Sequence, residues 1–121
     1  MPGKFMDVLQ GSSQIDVTVT GRVTGRQISN PVWFVQEGGT VYLLPVRGSA
    51  TDWFKNVRAT PSLRLTTDGA SITAPAAPVT DPGQVREVVG KFQAKYGTDQ
   101  IAAYYSQLDV AVEISMPASA V

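Results

Sequence analysis

Two Gly-Arg pairs stand four residues apart in the stretch TVTGRVTGRQISNPVWF, residues 18–34. The guanidinium groups of Arg22 and Arg26 stay charged at physiological pH and bind phosphate or carboxylate through paired N–H donors. Gly21 and Gly25 allow backbone conformations that a side chain blocks, so a compact connection would turn both arginines toward one anion. The alternative is a solvated loop whose arginines touch nothing. A second candidate lies in VRGSATDW, residues 46–53, where a strand ends, Arg47-Gly48-Ser49 turns and a helix begins. The free N–H groups at a helix start attract anions, and Arg47, Ser49 and Thr51 add donors. The same residues also read as ordinary capping, with Ser49 and Asp52 resembling a capping box.

The chain has no cysteine and no histidine. Thiol nucleophiles, disulfides, Ser-His-Asp catalysis and the usual zinc and haem ligands are therefore excluded. Chemistry must come from Tyr, Ser, Thr, Asp, Glu, Lys or Arg, or from a bound cofactor, which supplies reactions that side chains cannot. Without histidine, a tyrosine is the natural proton donor to a substrate, and Tyr96, Tyr104 and Tyr105 are the candidates. Asn56 offers amide donors and an acceptor to a heterocycle. Trp33 and Trp53 read first as core residues and second as platforms for a ligand ring.

Charge is segregated although the net charge is zero. Residues 22–64 hold six basic against two acidic side chains, a net of +4; the remainder holds four basic and eight acidic, a net of −4. An anionic partner for the first half is expected. Nucleic acid is not, because its binding domains are far more basic. No apolar run approaches the roughly 18 residues that span a bilayer, and the N-terminus lacks the apolar core of a signal peptide. A cytoplasmic protein with no stable membrane insertion is expected.

These residues must be positioned by one domain, since 121 residues make two independent cores too small. Residues 15–21 alternate as a half-buried strand, 31–36 and 40–46 form a hairpin across Glu-Gly-Gly, and 62–67 and 70–79 flank Asp-Gly, a strong hairpin signal. Residues 48–60 take helical spacing and stop before Pro61. Thr80 or Asp81 caps a longer helix with Pro82 in its first turn, an apolar stripe at Val85, Val88, Val89, Phe92 and Tyr96, and Gly97 as its C-cap. A short helix carrying Ile101, Tyr104 and Tyr105 follows, then a strand over 108–115. Residues 1–13 and 117–121 are expected to be flexible ends. The sum is a mostly β (α+β) domain: a six-stranded antiparallel barrel, with a short helix after strand 3 and a helical pair before the last strand.

The ordered pattern TVTGRVTGRQISNPVWF…GGTVYLLPVRGS…DWFKNVRATPSLRL resembles the deazaflavin-dependent nitroreductase and quinone reductase family. Gly21, Arg22, Thr24, Gly25, Asn30, Pro31, Arg47, Gly48, Trp53, Asn56, Val57 and Pro61 carry the match, which covers residues 17–65. The resemblance implies a split β-barrel of the pyridoxamine-phosphate-oxidase type. It also implies binding of the 8-hydroxy-5-deazaflavin coenzyme F-420, whose phosphate and polyglutamate tail meet residues 22–31 (Arg22, Thr24, Gly25, Arg26, Asn30 and Pro31). Val46, Arg47, Gly48, Ser49, Trp53 and Asn56 would meet the ring or phosphate. Tyr96, Tyr104 and Tyr105 would shape the pocket of a small electron acceptor: a quinone, nitroaromatic or conjugated enone. Val23 and Ile28 stand where relatives often carry basic residues, a loss of about 1.5–3 kcal/mol per missing charged hydrogen bond. The alternatives keep the fold and change the ligand to FMN or a tetrapyrrole, or make the chain a non-catalytic binder of the deazaflavin or of a fatty acid. Split barrels of this type often pair, so a homodimer is possible.

Overall fold

The structure, a computed structural model, describes residues 14–67 and 70–116. The Asp68-Gly69 turn and the two ends expected to be flexible lie outside the described residues. The described chain runs β1 (Ile15–Thr20), β2 (Gln27–Val32), β3 (Phe34–Glu37), β4 (Thr40–Leu43), a 3-10 turn (Gly48–Ala50), α1 (Asp52–Ala59), β5 (Ser62–Thr67), β6 (Ala70–Val79), α2 (Pro82–Tyr96), α3 (Thr98–Tyr104) and β7 (Ala111–Ser115). The sheet order is β2-β1-β5-β6-β7-β4-β3, with every neighbouring pair antiparallel. This is the expected mostly β split barrel, drawn as a curled sheet with its helices to one side and end. β6 makes the corner, since its residues 70–75 pair with β5 and its residues 76–79 with β7.

The strand count is seven among the described residues, not six. The expected strand over 31–36 is two strands divided at Trp33, and its pairing with β1 begins four residues earlier, at Thr20↔Gln27. Asn30 and Pro31 therefore lie inside β2, opposite Val17 and Asp16, rather than in the connection. Periodicity could not reveal this strand. β2 is an edge strand, exposed at most positions, so it lacks the buried alternation that identifies a sheet face. Pro31 is tolerated because an edge strand need not donate on both sides.

β2 and β3 are the two edges of the sheet, and the chain crosses between them at Trp33. An open edge invites foreign strands; here α2 covers it. The Phe34 N–H donates to Tyr96 Oη at 3.1 Å, while the Phe34 carbonyl accepts from Tyr96 Oη at 2.9 Å and from Lys95 Nζ at 2.8 Å. Replacing Tyr96 with phenylalanine removes both hydroxyl bonds at once. A loss of about 1–3 kcal/mol in urea unfolding is expected, with helix and strand content unchanged by circular dichroism.

Two apolar clusters fill the fold. The first, inside the curl, joins Val17, Phe34, Leu43, Leu65 and Ile114 to Trp53, Phe54 and Val57 of α1. The second lies between the sheet and α2 and α3, with Val35, Leu44, Val88, Phe92, Ile101 and Ala111. Successive residues such as Phe34 and Val35, or Leu43 and Leu44, thus face opposite cores, which explains the unbroken apolar runs. Asp81 caps α2 by accepting the Gln84 N–H at 3.0 Å, Pro82 opens the helix, and Gly97 ends it at φ 98°. Neither Ser49 nor Thr51 caps α1 with its side chain. The Thr51 hydroxyl instead accepts the Arg47 N–H at 2.8 Å, and Ser49 turns elsewhere.

Candidate functional site

The β1–β2 connection is a closed six-residue loop. Gly21 N–H donates to Arg26 O at 2.7 Å, and Gly25 N–H to Gly21 O at 2.9 Å. Gly25 sits at φ 74°, where a side chain would be strained. The Thr24 hydroxyl braces the loop by accepting the Arg26 N–H at 3.3 Å. The loop leans on α1. Asn56 Oδ1 accepts both the Arg22 N–H at 3.1 Å and Arg22 Nη1 at 2.8 Å. Arg22 also reaches the Asp52 carbonyl at 3.4 Å and the Asp52 carboxylate at 3.7 Å.

Asn56, only 4% exposed, thus spends its carbonyl on the protein itself and positions Arg22. Gly21, Arg22, Val23, Thr24, Asp52 and Asn56 border a hollow of about 200 Å³, with Ile28 at its rim. Val23 is 87% exposed and gives the hollow an apolar lip. The three arginines do not converge: Arg26 and Arg47 are exposed and line neither this hollow nor the cleft beside it. Trp53 is buried in the first core, offering no open face to a ring.

The turn after β4 is stitched to the segment before β7. The Val46 carbonyl accepts from Ser106 N–H at 2.9 Å and from its hydroxyl at 3.2 Å, and Arg47 bridges to Gln107. Asp109 fills the turn itself. Its carboxylate accepts Ser49 N–H at 2.9 Å, Ser49 Oγ at 2.6 Å and Gln107 Nε2 at 2.9 Å. These bonds, the Ser49 hydroxyl foremost, hold the Asp109 carboxyl below the usual carboxylate range. The two Ser49 donors that the sequence offered to an external anion are held by the chain's own anion. Asp109 escaped sequence reading because it lies 60 residues from Ser49 and no local motif marks it. It also borders an apolar groove of about 590 Å³ with Val85, Val89 and Leu108.

The three tyrosines do come together, around Trp33. Trp33 stacks on Tyr96 at a centroid distance of 4.5 Å, meets Tyr104 edge-on at 4.5 Å and approaches Tyr105 at 6.2 Å. Their roles differ. The Tyr96 hydroxyl is committed to Phe34, and burial raises its pKa. Tyr105 is buried, and desolvation first, then the neighbouring Tyr104 and Tyr96, pushes its pKa up. Tyr104, 41% exposed, is the most open of the three.

Many solved structures share this fold. An F420-H2 dependent reductase (FDR-A) superposes with a TM-score of 0.65 at 16% identity, covering 84% of this chain and 93% of that one. A chain described as a domain-swapped dimer gives 0.66 at 16% identity, over 90% and 92%. A pyridoxamine 5'-phosphate oxidase-type protein from Listeria innocua gives 0.66 at 13% identity, over 92% and 89%. Residues 2–115 match the family model described as F420H(2)-dependent quinone reductase. Matched over nearly its whole length and folded as the split barrel that its motifs imply, the chain belongs to the F420H(2)-dependent quinone reductase family.

Proposed function

We propose that this protein binds the reduced deazaflavin coenzyme F-420 and reduces an electron-poor small molecule, a quinone, nitroaromatic or conjugated enone. The observation that carries this reading is Asn56 Oδ1, which joins the Gly-Arg loop to α1 and sets Arg22 at the edge of a hollow. A fixed guanidinium beside a threonine hydroxyl fits an anionic cofactor group, because a preset donor loses little freedom when the anion arrives. The bound coenzyme would supply the hydride from its C5. The residues of this chain would do the positioning: Arg22 and Thr24 hold the anionic part, and Val46, Arg47 and Gly48 back the ring. Tyr104, which reaches solvent, would deliver the proton that balances the transferred hydride. The relative described as a domain-swapped dimer supports pairing of two copies.

Fluorescence titration of the purified protein with the coenzyme tests the reading. Saturable binding at micromolar concentration is expected, followed by coenzyme oxidation when menadione is added. No saturable binding, or a freshly purified protein carrying the absorbance of bound FMN or a tetrapyrrole, would defeat it.

A further inference from the structure

The outer face of α1 carries two cations that the motif reading left aside. Lys55 and Arg58 are three residues apart, hence on one side of the helix, and both are exposed. With Arg22, Ser49 and Ala59 they line an open cleft of about 490 Å³. Arg22 is held there by Asn56 and Asp52. Among the described residues neither Lys55 nor Arg58 has a carboxylate partner. Arg58, in the last turn of α1, also complements the helix dipole. Asp52 answers Arg22 and the dipole answers Arg58, which leaves Lys55 beside them without an opposite charge among the described residues.

We propose that the anion subsite of this chain is the Arg22–Lys55–Arg58 cleft, and that Asp109 stands in for a ligand anion at the Gly48–Ser49 turn. The two halves support each other. With Ser49 N–H and Oγ already bonded to a carboxylate, a second anion at the turn would meet the charge of Asp109 and find both Ser49 donors taken. One step away, three guanidinium and ammonium groups line open space, with Asp52 beside Arg22 and Asp109 bonded to Ser49. The ligand class is a multiply charged phosphate or polycarboxylate, whose oxygens suit several cations at once. The inference rests on the functional reading only for the source of that anion, namely the phosphate or the glutamyl tail of the cofactor.

The full chain is titrated calorimetrically with inorganic pyrophosphate, with tri-γ-glutamate and with a deazaflavin lacking phosphate and tail. In the Lys55→Gln/Arg58→Gln variant, affinity for at least one of the two anions is expected to fall at least about tenfold, the effect of one lost charged hydrogen bond or more. Affinity for the bare deazaflavin should change less than about twofold, as expected for surface changes away from a contact. Arg64→Gln, which removes an exposed cation of β5 that lines neither the hollow nor the cleft, should leave anion affinity near wild type. Loss confined to pyrophosphate assigns the cleft to phosphate, and loss confined to tri-γ-glutamate assigns it to carboxylates. The proposal is overturned if neither anion binds the wild type, or if Lys55→Gln/Arg58→Gln binds both anions as tightly as the wild type does. Failure of the bare deazaflavin alone would strike the functional reading and not the cleft.

Discussion

Replacing Asn56 with alanine is expected to destabilise the fold by about 2–4 kcal/mol, the combined worth of one neutral and one charge-assisted hydrogen bond, and to weaken coenzyme binding at least about tenfold. The amide is 4% exposed, so no water replaces it cheaply. Its Oδ1 is the acceptor for both the Arg22 main chain and the Arg22 guanidinium. Alanine leaves an unpaired N–H at the base of the loop and frees Arg22 to swing away from the hollow. Asn56→Asp separates the two roles. It keeps an acceptor for Arg22, so urea unfolding should stay closer to wild type, yet it places a negative charge where an anion must approach, so binding should still fail. Unfolding and fluorescence titration on both variants provide the check. Full stability in the alanine variant would show that the loop does not depend on this contact.

Gly48→Ala is the second large effect, an expected loss of about 3 kcal/mol or more from combined backbone strain and broken hydrogen bonds. Gly48 stands at φ 53°, a left-handed conformation that costs other residues about 1–2 kcal/mol. A Cβ built there overlaps Asp109 Oδ1, so the carboxylate must leave Ser49. A double-mutant cycle distinguishes the two causes. In an Asp109→Ala background the carboxylate overlap is gone, only the flexible Gln107 Cγ at 3.0 Å must shift, and Gly48→Ala should cost little beyond the backbone term of about 1–2 kcal/mol. Strictly additive penalties in urea would mean that Asp109 does not occupy the turn as described.

The local elements were largely legible. The alternation of Ile15, Val17 and Val19, the cap and stripe of α2 from Asp81 to Tyr96, and the apolar face of α1 each write their structure in a few neighbouring residues. β2 was not legible. It lies at an edge, exposed along most of its length, and its identity comes from pairing with β1 rather than from any pattern of its own. The division at Trp33 was hidden for the same reason, since the partners that satisfy Phe34 come from Tyr96 and Lys95, more than 60 residues along the chain.

The site shows the same boundary. Residue types alone determined that the chain lacks histidine and cysteine chemistry, that its first half is cationic, and that Gly-Arg, Arg-Gly-Ser and Trp-Phe-Lys-Asn segments mark a family. Only the tertiary structure decided which of those charges meet. It set Arg22 on Asn56, left Arg26 and Arg47 apart, buried Trp53, and gave the Ser49 donors to Asp109. A side chain's type is a local property, whereas its partner depends on how distant segments cross. Contacts closed by folding over 30 to 60 residues leave no periodic trace in the sequence.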